Sequence, residues 1–127
     1  EAATIWPLSR LGRIRSAGAG ESLARQGMIG DRLFIVIDGC LRALVDGQEV
    51  GEIGAGETAG ELCMLDLPER SADLVVERDA CLVEIMLADL ESLMLQRPAI
   101  AAAVMRNLAT NQARRLRRLN QAIAVRG

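Results

Sequence analysis

Gly60-Glu61-Leu62-Cys63-Met64-Leu65-Asp66-Leu67-Pro68-Glu69-Arg70-Ser71-Ala72 is the stretch on which the reading of this chain turns. Gly60 closes an extended segment, Glu61 to Leu65 are good helix formers, and Pro68 stops them, so the pattern predicts one short helix directly after a glycine. The unbonded N–H groups of such a first turn attract an anion. Arg70 returns the chain toward that turn, and Ser71 and Ala72 add a hydroxyl and two amides beside side chains small enough to leave room for a ligand. One end offers a carboxylate, the other a guanidinium. An arginine fork suits phosphate oxygens and Glu61 can accept a hydrogen bond from a ribose hydroxyl, so the pairing fits a nucleotide better than a bare anion. At an effective dielectric of ~20, an Arg–phosphate contact at ~4 Å is worth on the order of 4 kcal/mol, against about 0–1 kcal/mol for an exposed bridge from Arg70 to Glu69 or Glu61.

Upstream, glycines from Gly18 to Gly56 punctuate short apolar runs, the pattern of a sandwich or barrel built from short strands. Leu33 to Ile37 is almost continuously apolar and reads as a central strand. Leu41, Ala43 and Val45 alternate up to Asp46-Gly47, a hairpin signal that requires positive φ, and Gln48 to Ile53 forms the return strand. Asp73 to Val76 and Cys81 to Met86 read as two further strands parted by a polar Glu77-Arg78-Asp79 turn. The first sixteen residues show weak helical spacing at Ile5, Leu8, Leu11 and Ile14 and predict a short helix or arm. Trp6 and Phe34 read as packing residues.

The tail changes period. Leu87, Leu90, Leu93 and Met94 recur at helical spacing up to Arg97, and Pro98 can occupy the first turn of a longer helix running toward Ile123. Arg114, Arg115, Arg117 and Arg118 on its second half read as a solvated face near a helix C-terminus. The stripe from Met105 through Leu108, Leu116, Leu119 and Ile123 is able to form a coiled-coil-like seam.

Composition bounds the function. In 127 residues, half of them apolar, there is one domain's worth of core, and fifteen basic against seventeen acidic residues leave a net charge of -2. That balance gives no global attraction to nucleic acid or to an anionic membrane. Charge interrupts every apolar run, so neither a spanning helix nor a secretory leader is expected. Cys40, Cys63 and Cys81, odd in number and with no histidine in the chain, point to reduced thiols in a cytoplasmic setting, with no metal site and no catalytic constellation. The opening Glu1 suggests a piece excised from a longer polypeptide.

The Gly60–Ala72 stretch resembles the phosphate-binding cassette of cyclic-nucleotide-binding domains of the catabolite activator protein type: Gly-Glu-Leu, a short apolar helix, a matching gap, then Arg-Ser-Ala. Gly30-Asp31-Arg32-Leu33-Phe34-Ile35-Val36-Ile37-Asp38-Gly39 is similar to the family's Gly-Asp strand ending at a glycine turn, and Ala80 to Ile85 followed by the Leu87 helix falls where that fold needs it. The likeness runs from about Ala17 to Asn120. It implies a mainly β chain with flanking α: an eight-stranded β-roll, or jelly roll, with an N-terminal helix and C-terminal helices. Its parts are residues 1–16 as helix or arm, 17–86 as roll with the cassette at 60–72, and 87–127 as helices.

Residue by residue, the resemblance implies Glu61 on the ribose 2′-hydroxyl, Arg70 and Ser71 on the cyclic phosphate, and the turn at Gly60 with the amides of Leu62, Cys63 and Ala72 completing the shell. Arg115, Leu116 and Leu119 are candidates to cap the base. The ligand is cAMP or cGMP, with the Arg-Ser-Ala form favouring cAMP, and no other cofactor is implied. The family's pattern is departed from at Ala59, Cys63 and Asp73; a carboxylate at Asp73 would repel a bound phosphate unless it points to the other face of its strand, which alternation from Ala72 permits. The implied role is regulatory: occupancy is relayed through the C-terminal helix to a linked effector domain, with a homodimer through that helix and no direct nucleic-acid contact or membrane insertion. Two alternatives are a roll that serves as an interaction or dimerisation module without ligand, and the sensor half of a transcription regulator.

Overall fold

The structure, a computed structural model, describes residues 11–60, 70 and 72–126. Its strands are β1 (Arg13–Ala17), β2 (Ser22–Ala24), β3 (Arg32–Val45), β4 (Gln48–Gly54), β5 (Thr58–Ala59) and β6 (Asp73–Met86), followed by helices α1 (Leu87–Gln96) and α2 (Pro98–Arg126). All strand pairs are antiparallel, in the order β1-β6-β3-β4, with β2 added to β6 and β5 to β3.

Two 14-residue strands carry the architecture. β3 and β6 pair from Arg32↔Met86 to Leu44↔Asp73, slipping register between Val36 and Leu41. Such register slips are bulges, which bend a strand and let its two halves diverge. Counting the halves of the bent strands gives the eight segments of the expected roll. Gly39 sits at the bend with φ +92°, and a Cβ there would lie 2.4 Å from the Asp79 carbonyl oxygen, so only glycine lets the two backbones come this close. This is also why Glu77, Arg78 and Asp79 are not the turn that their polarity suggests: their side chains are exposed while the strand runs on through them.

Alternation divides the core in two. Phe34, Val36, Leu41, Leu74, Val76 and Leu82 point into the roll, while Leu33, Ile35, Val83 and Ile85 face outward onto Leu87 and Leu90 of α1 and Val104 of α2. Phe34 is wholly buried, as its packing role required. The Asp46-Gly47 turn is as expected, with φ of 52° and 83° at its two residues and Val45 paired to Gln48.

The amino-terminal expectation is corrected where it can be seen. Arg13–Ala17 is a strand on the edge of β6, and Ile14, counted in the apolar helical spacing, is 75% exposed. The edge of β6 offers unpaired backbone groups, and a strand puts Arg13, Arg15 and Ala17 together on the inward side, an arrangement no helix provides. The rest of the proposed helix or arm, residues 1–10, and the short cassette helix at Glu61–Leu65 lie outside the described residues.

Candidate ligand site

Gly60 ends the short pairing of β5 with β3 and takes φ +86°. A Cβ on it would stand 2.4 Å from Nη1 of Arg70 and 3.0 Å from the Arg32 carbonyl oxygen, so the glycine is needed both for its conformation and for the guanidinium beside it. Arg70 is only 8% exposed. Its Nη2 donates to the Arg32 carbonyl at 2.8 Å and its Nη1 to the Gly60 carbonyl at a longer 3.4 Å. Its backbone is clamped as well, accepting from the Gly27 amide (2.8 Å) and donating to the Met28 carbonyl (2.7 Å). A guanidinium carries five N–H donors, and two of Arg70's have partners among the described residues, both of them neutral carbonyls. No described carboxylate is hydrogen-bonded to this buried cation, and Asp31 feels its charge only at a distance, so the guanidinium keeps donors to offer a ligand.

Arg70 opens on a cleft of about 340 Å³ between the β1–β2 region and the start of β3. Arg15, Arg25, Arg32 and Asp31 share its walls. Arg32 is forked between two acids, with Nε donating to Asp31 Oδ1 at 2.9 Å and Nη1 standing 3.2 Å from Glu84 Oε1. Arg15 likewise reaches Glu84 Oε2 at 2.9 Å and pairs with Glu21. Arg32 beside Asp31 holds that carboxyl below the usual carboxylate range, and Asp31 in turn raises the Arg32 guanidinium. Two of the four arginines on the wall, Arg15 and Arg32, are thus paired to the described carboxylates Glu21, Asp31 and Glu84, and Arg13 reaches Glu84 at 3.8 Å from outside the cleft.

Of the residues that the sequence pointed to, Gly60, Arg70 and Ala72 are described, and the first two are brought into direct contact. Glu61, Leu62, Cys63 and Ser71 lie outside the described residues, as do the side chains of Arg115 and Leu119. The Asp73 carboxylate accepts from the backbone N–H of Gln26 at 2.7 Å. Arg15, Arg32 and Glu84 were missed. The one signal for Glu84 was a charge set between Val83 and Ile85 in an apolar strand, on the inward side with Leu82.

Away from the cleft, the described residues bring Cys40, Glu52 and Glu77 together with ligand atoms within 4.8 Å of one another, a grouping that three separate strand positions hide from a linear reading. Burial and the neighbouring Glu77 push the Cys40 thiol up, and Glu77 likewise raises Glu52. No helix among the described residues is long and apolar enough to cross a membrane.

Residues 14–97 match the family model of the cyclic nucleotide-binding domain. A cyclic AMP receptor protein of Thermus thermophilus is 36% identical over 103 residues, which are 77% of this chain and 46% of the receptor. The solved structure of the catabolite activator protein of Thermus thermophilus superposes with a TM-score of 0.73 at 30% identity, covering 97% of this chain and 58% of that one. Lysophospholipase NTE1 of Yarrowia lipolytica is 32% identical over 116 residues, 72% of this chain but 8% of the enzyme. The chain therefore spans less than half the length of these curated relatives.

Proposed function

This chain belongs to the cyclic nucleotide-binding domain family, and on that premise we propose that the cleft beside Arg70 receives a cyclic nucleotide whose phosphate exchanges with the Gly60 carbonyl as a partner of the guanidinium. The observation that carries this reading is a buried arginine bonded only to neutral carbonyls among the described residues, at the wall of an open cleft. Glu61 then takes the ribose 2′-hydroxyl, and Ser71 with the amides of Leu62, Cys63 and Ala72 completes the phosphate shell. The likeness to a cyclic AMP receptor protein favours cAMP over cGMP. Calorimetric titration with both nucleotides tests this: wild type should bind, and Arg70→Ala should lose about 10- to 100-fold in affinity, the worth of one charged hydrogen bond. Absence of heat in wild type would sink the reading and favour an interaction module without ligand.

The role is regulatory, within a larger protein that carries the effector. A path for the relay exists in adjacent carbonyls: Arg32's accepts from Arg70, and Asp31's accepts from the amide of Leu87, the first residue of α1, at 2.9 Å. A ligand that pulls on Arg70 alters the same backbone segment that anchors the helix. Ligand binding shifts α1 and α2 only insofar as it favours one arrangement, and about 1–3 kcal/mol is the usual coupling. The outlet is α2, of 29 residues and roughly 43 Å at 1.5 Å per residue. Its start packs through Ile100 and Val104, whereas Met105 and Leu116, eleven residues apart and so on one face, are exposed. This face suits pairing with a second copy.

A further inference from the structure

Glu84 is the buried acid behind the cleft. Its side chain is 7% exposed, it does not line the cavity, and it stands 2.9 Å from Arg15, 3.2 Å from Arg32 and 3.8 Å from Arg13. A carboxylate so far out of water has to be paired, and its two nearest cations are two of the four arginines on the cleft wall. The consequence runs outward: each guanidinium spent on Glu84 is one not offered to a ligand. Glu84 offsets one positive charge among the described groups around the cleft, and without it they carry one more. A cyclic phosphodiester carries one negative charge. An open 5′-monophosphate, whose second proton leaves near a pKa of about 6, carries close to two at neutral pH.

We propose that Glu84 tunes the charge selectivity of the cleft: by lowering the positive potential of Arg15 and Arg32 from behind, it disfavours a doubly charged phosphomonoester more than a singly charged cyclic phosphate. Glu84 is a specificity-determining residue that acts through the two arginines and touches no ligand itself. This inference rests on the nucleotide reading of the cleft, and it adds what that reading lacks, a basis for discriminating against the ring-opened product. Arg70 supplies attraction to any phosphate; Glu84 supplies the discrimination.

The test is competition binding of cAMP, cGMP, 5′-AMP and 5′-GMP to wild type, Glu84→Gln, Glu84→Asp and Arg15→Gln, read as the ratio of 5′-monophosphate to cyclic dissociation constants. Glu84→Gln keeps the shape and removes the charge, so the ratio should fall at least tenfold while cyclic-nucleotide affinity stays within a few-fold. Glu84→Asp keeps the charge and should stay near wild type. Arg15→Gln removes a cation while leaving Glu84 paired to Arg32, and should move the ratio the opposite way, which keeps the test valid if Glu84→Gln does not fold. An unchanged ratio in folded Glu84→Gln, an equal fall in Glu84→Asp, or a fall in Arg15→Gln overturns the proposal while the nucleotide reading stands. Wild type that binds no nucleotide overturns both.

Discussion

Arg70 and Gly60 are a matched pair, and each explains the other. A guanidinium lying against a peptide needs the peptide's residue to have no side chain, and a glycine at φ +86° supplies that as well as the turn. Gly60→Ala should therefore do two things at once: cost about 1–3 kcal/mol in chemical denaturation, the range for a residue forced into a sparsely populated backbone region, and weaken cyclic-nucleotide binding by displacing Arg70. An alanine variant with wild-type affinity would show that Arg70 is free to move away without consequence. Asp31 makes a different kind of statement. Its carboxyl is held low, first by the hydrogen bond from Arg32, so its contribution to stability is present above the ordinary carboxylate pKa and is lost as pH falls through the lowered one. Asp31→Asn should lower the melting temperature at pH 7, with the gap to wild type closing as the pH is taken below about 4, the range where an ordinary aspartate carboxyl titrates. A gap that is constant with pH would mean that packing, not charge, was removed.

At the scale of elements, β3 and β6 show how far a sequence reading reaches. Their inward and outward sets follow directly from alternation, which is why Leu33, Phe34, Ile35 and Val36 were legible as a central strand and α1 and α2 were found nearly to the residue. The continuity of β6 through Glu77, Arg78 and Asp79 was not legible, because polarity reports where side chains meet water and says nothing of whether the backbone remains paired. The same limit hid β1, whose partner on β6 lies some seventy positions away, and with it the meeting of Arg15 and Glu84. The candidate site divides likewise: Gly60 and Arg70 belong to a local motif and were named, while Arg15, Arg32 and Glu84 are joined only by the sheet. Leu90 is wholly buried where α1 meets the outer face of the roll. Leu90→Ala should cost about 2–5 kcal/mol by denaturation, with the cavity adding to the lost transfer energy, whereas a cost below about 1 kcal/mol would mean that α1 is not seated as described.

On the proposed reading the molecule is a sensor, with one wall offering Arg70 to a phosphate and the 29-residue α2 left to carry the result. If α2 is the outlet, the exposed Leu116 belongs to a contact with a second copy, and Leu116→Glu should shift sedimentation from dimer to monomer while leaving nucleotide affinity intact; a wild-type monomer at every concentration would remove that contact. Ligand that binds only the folded form should stabilise it by about 2.7 kcal/mol at a hundred times its dissociation constant, visible as a rise in melting temperature, and Arg70→Ala should cut that stabilisation to about 0.4–1.4 kcal/mol at the same ligand concentration. The most direct measurement is a structure solved with saturating cAMP. Density for a cyclic phosphate should appear with an oxygen about 2.7–2.9 Å from a guanidinium nitrogen of Arg70, the distance of a charge-assisted bond. Density absent from that cleft, or a nucleotide seated elsewhere with Arg70 still bonded to the Gly60 and Arg32 carbonyls, would contradict the proposed reading.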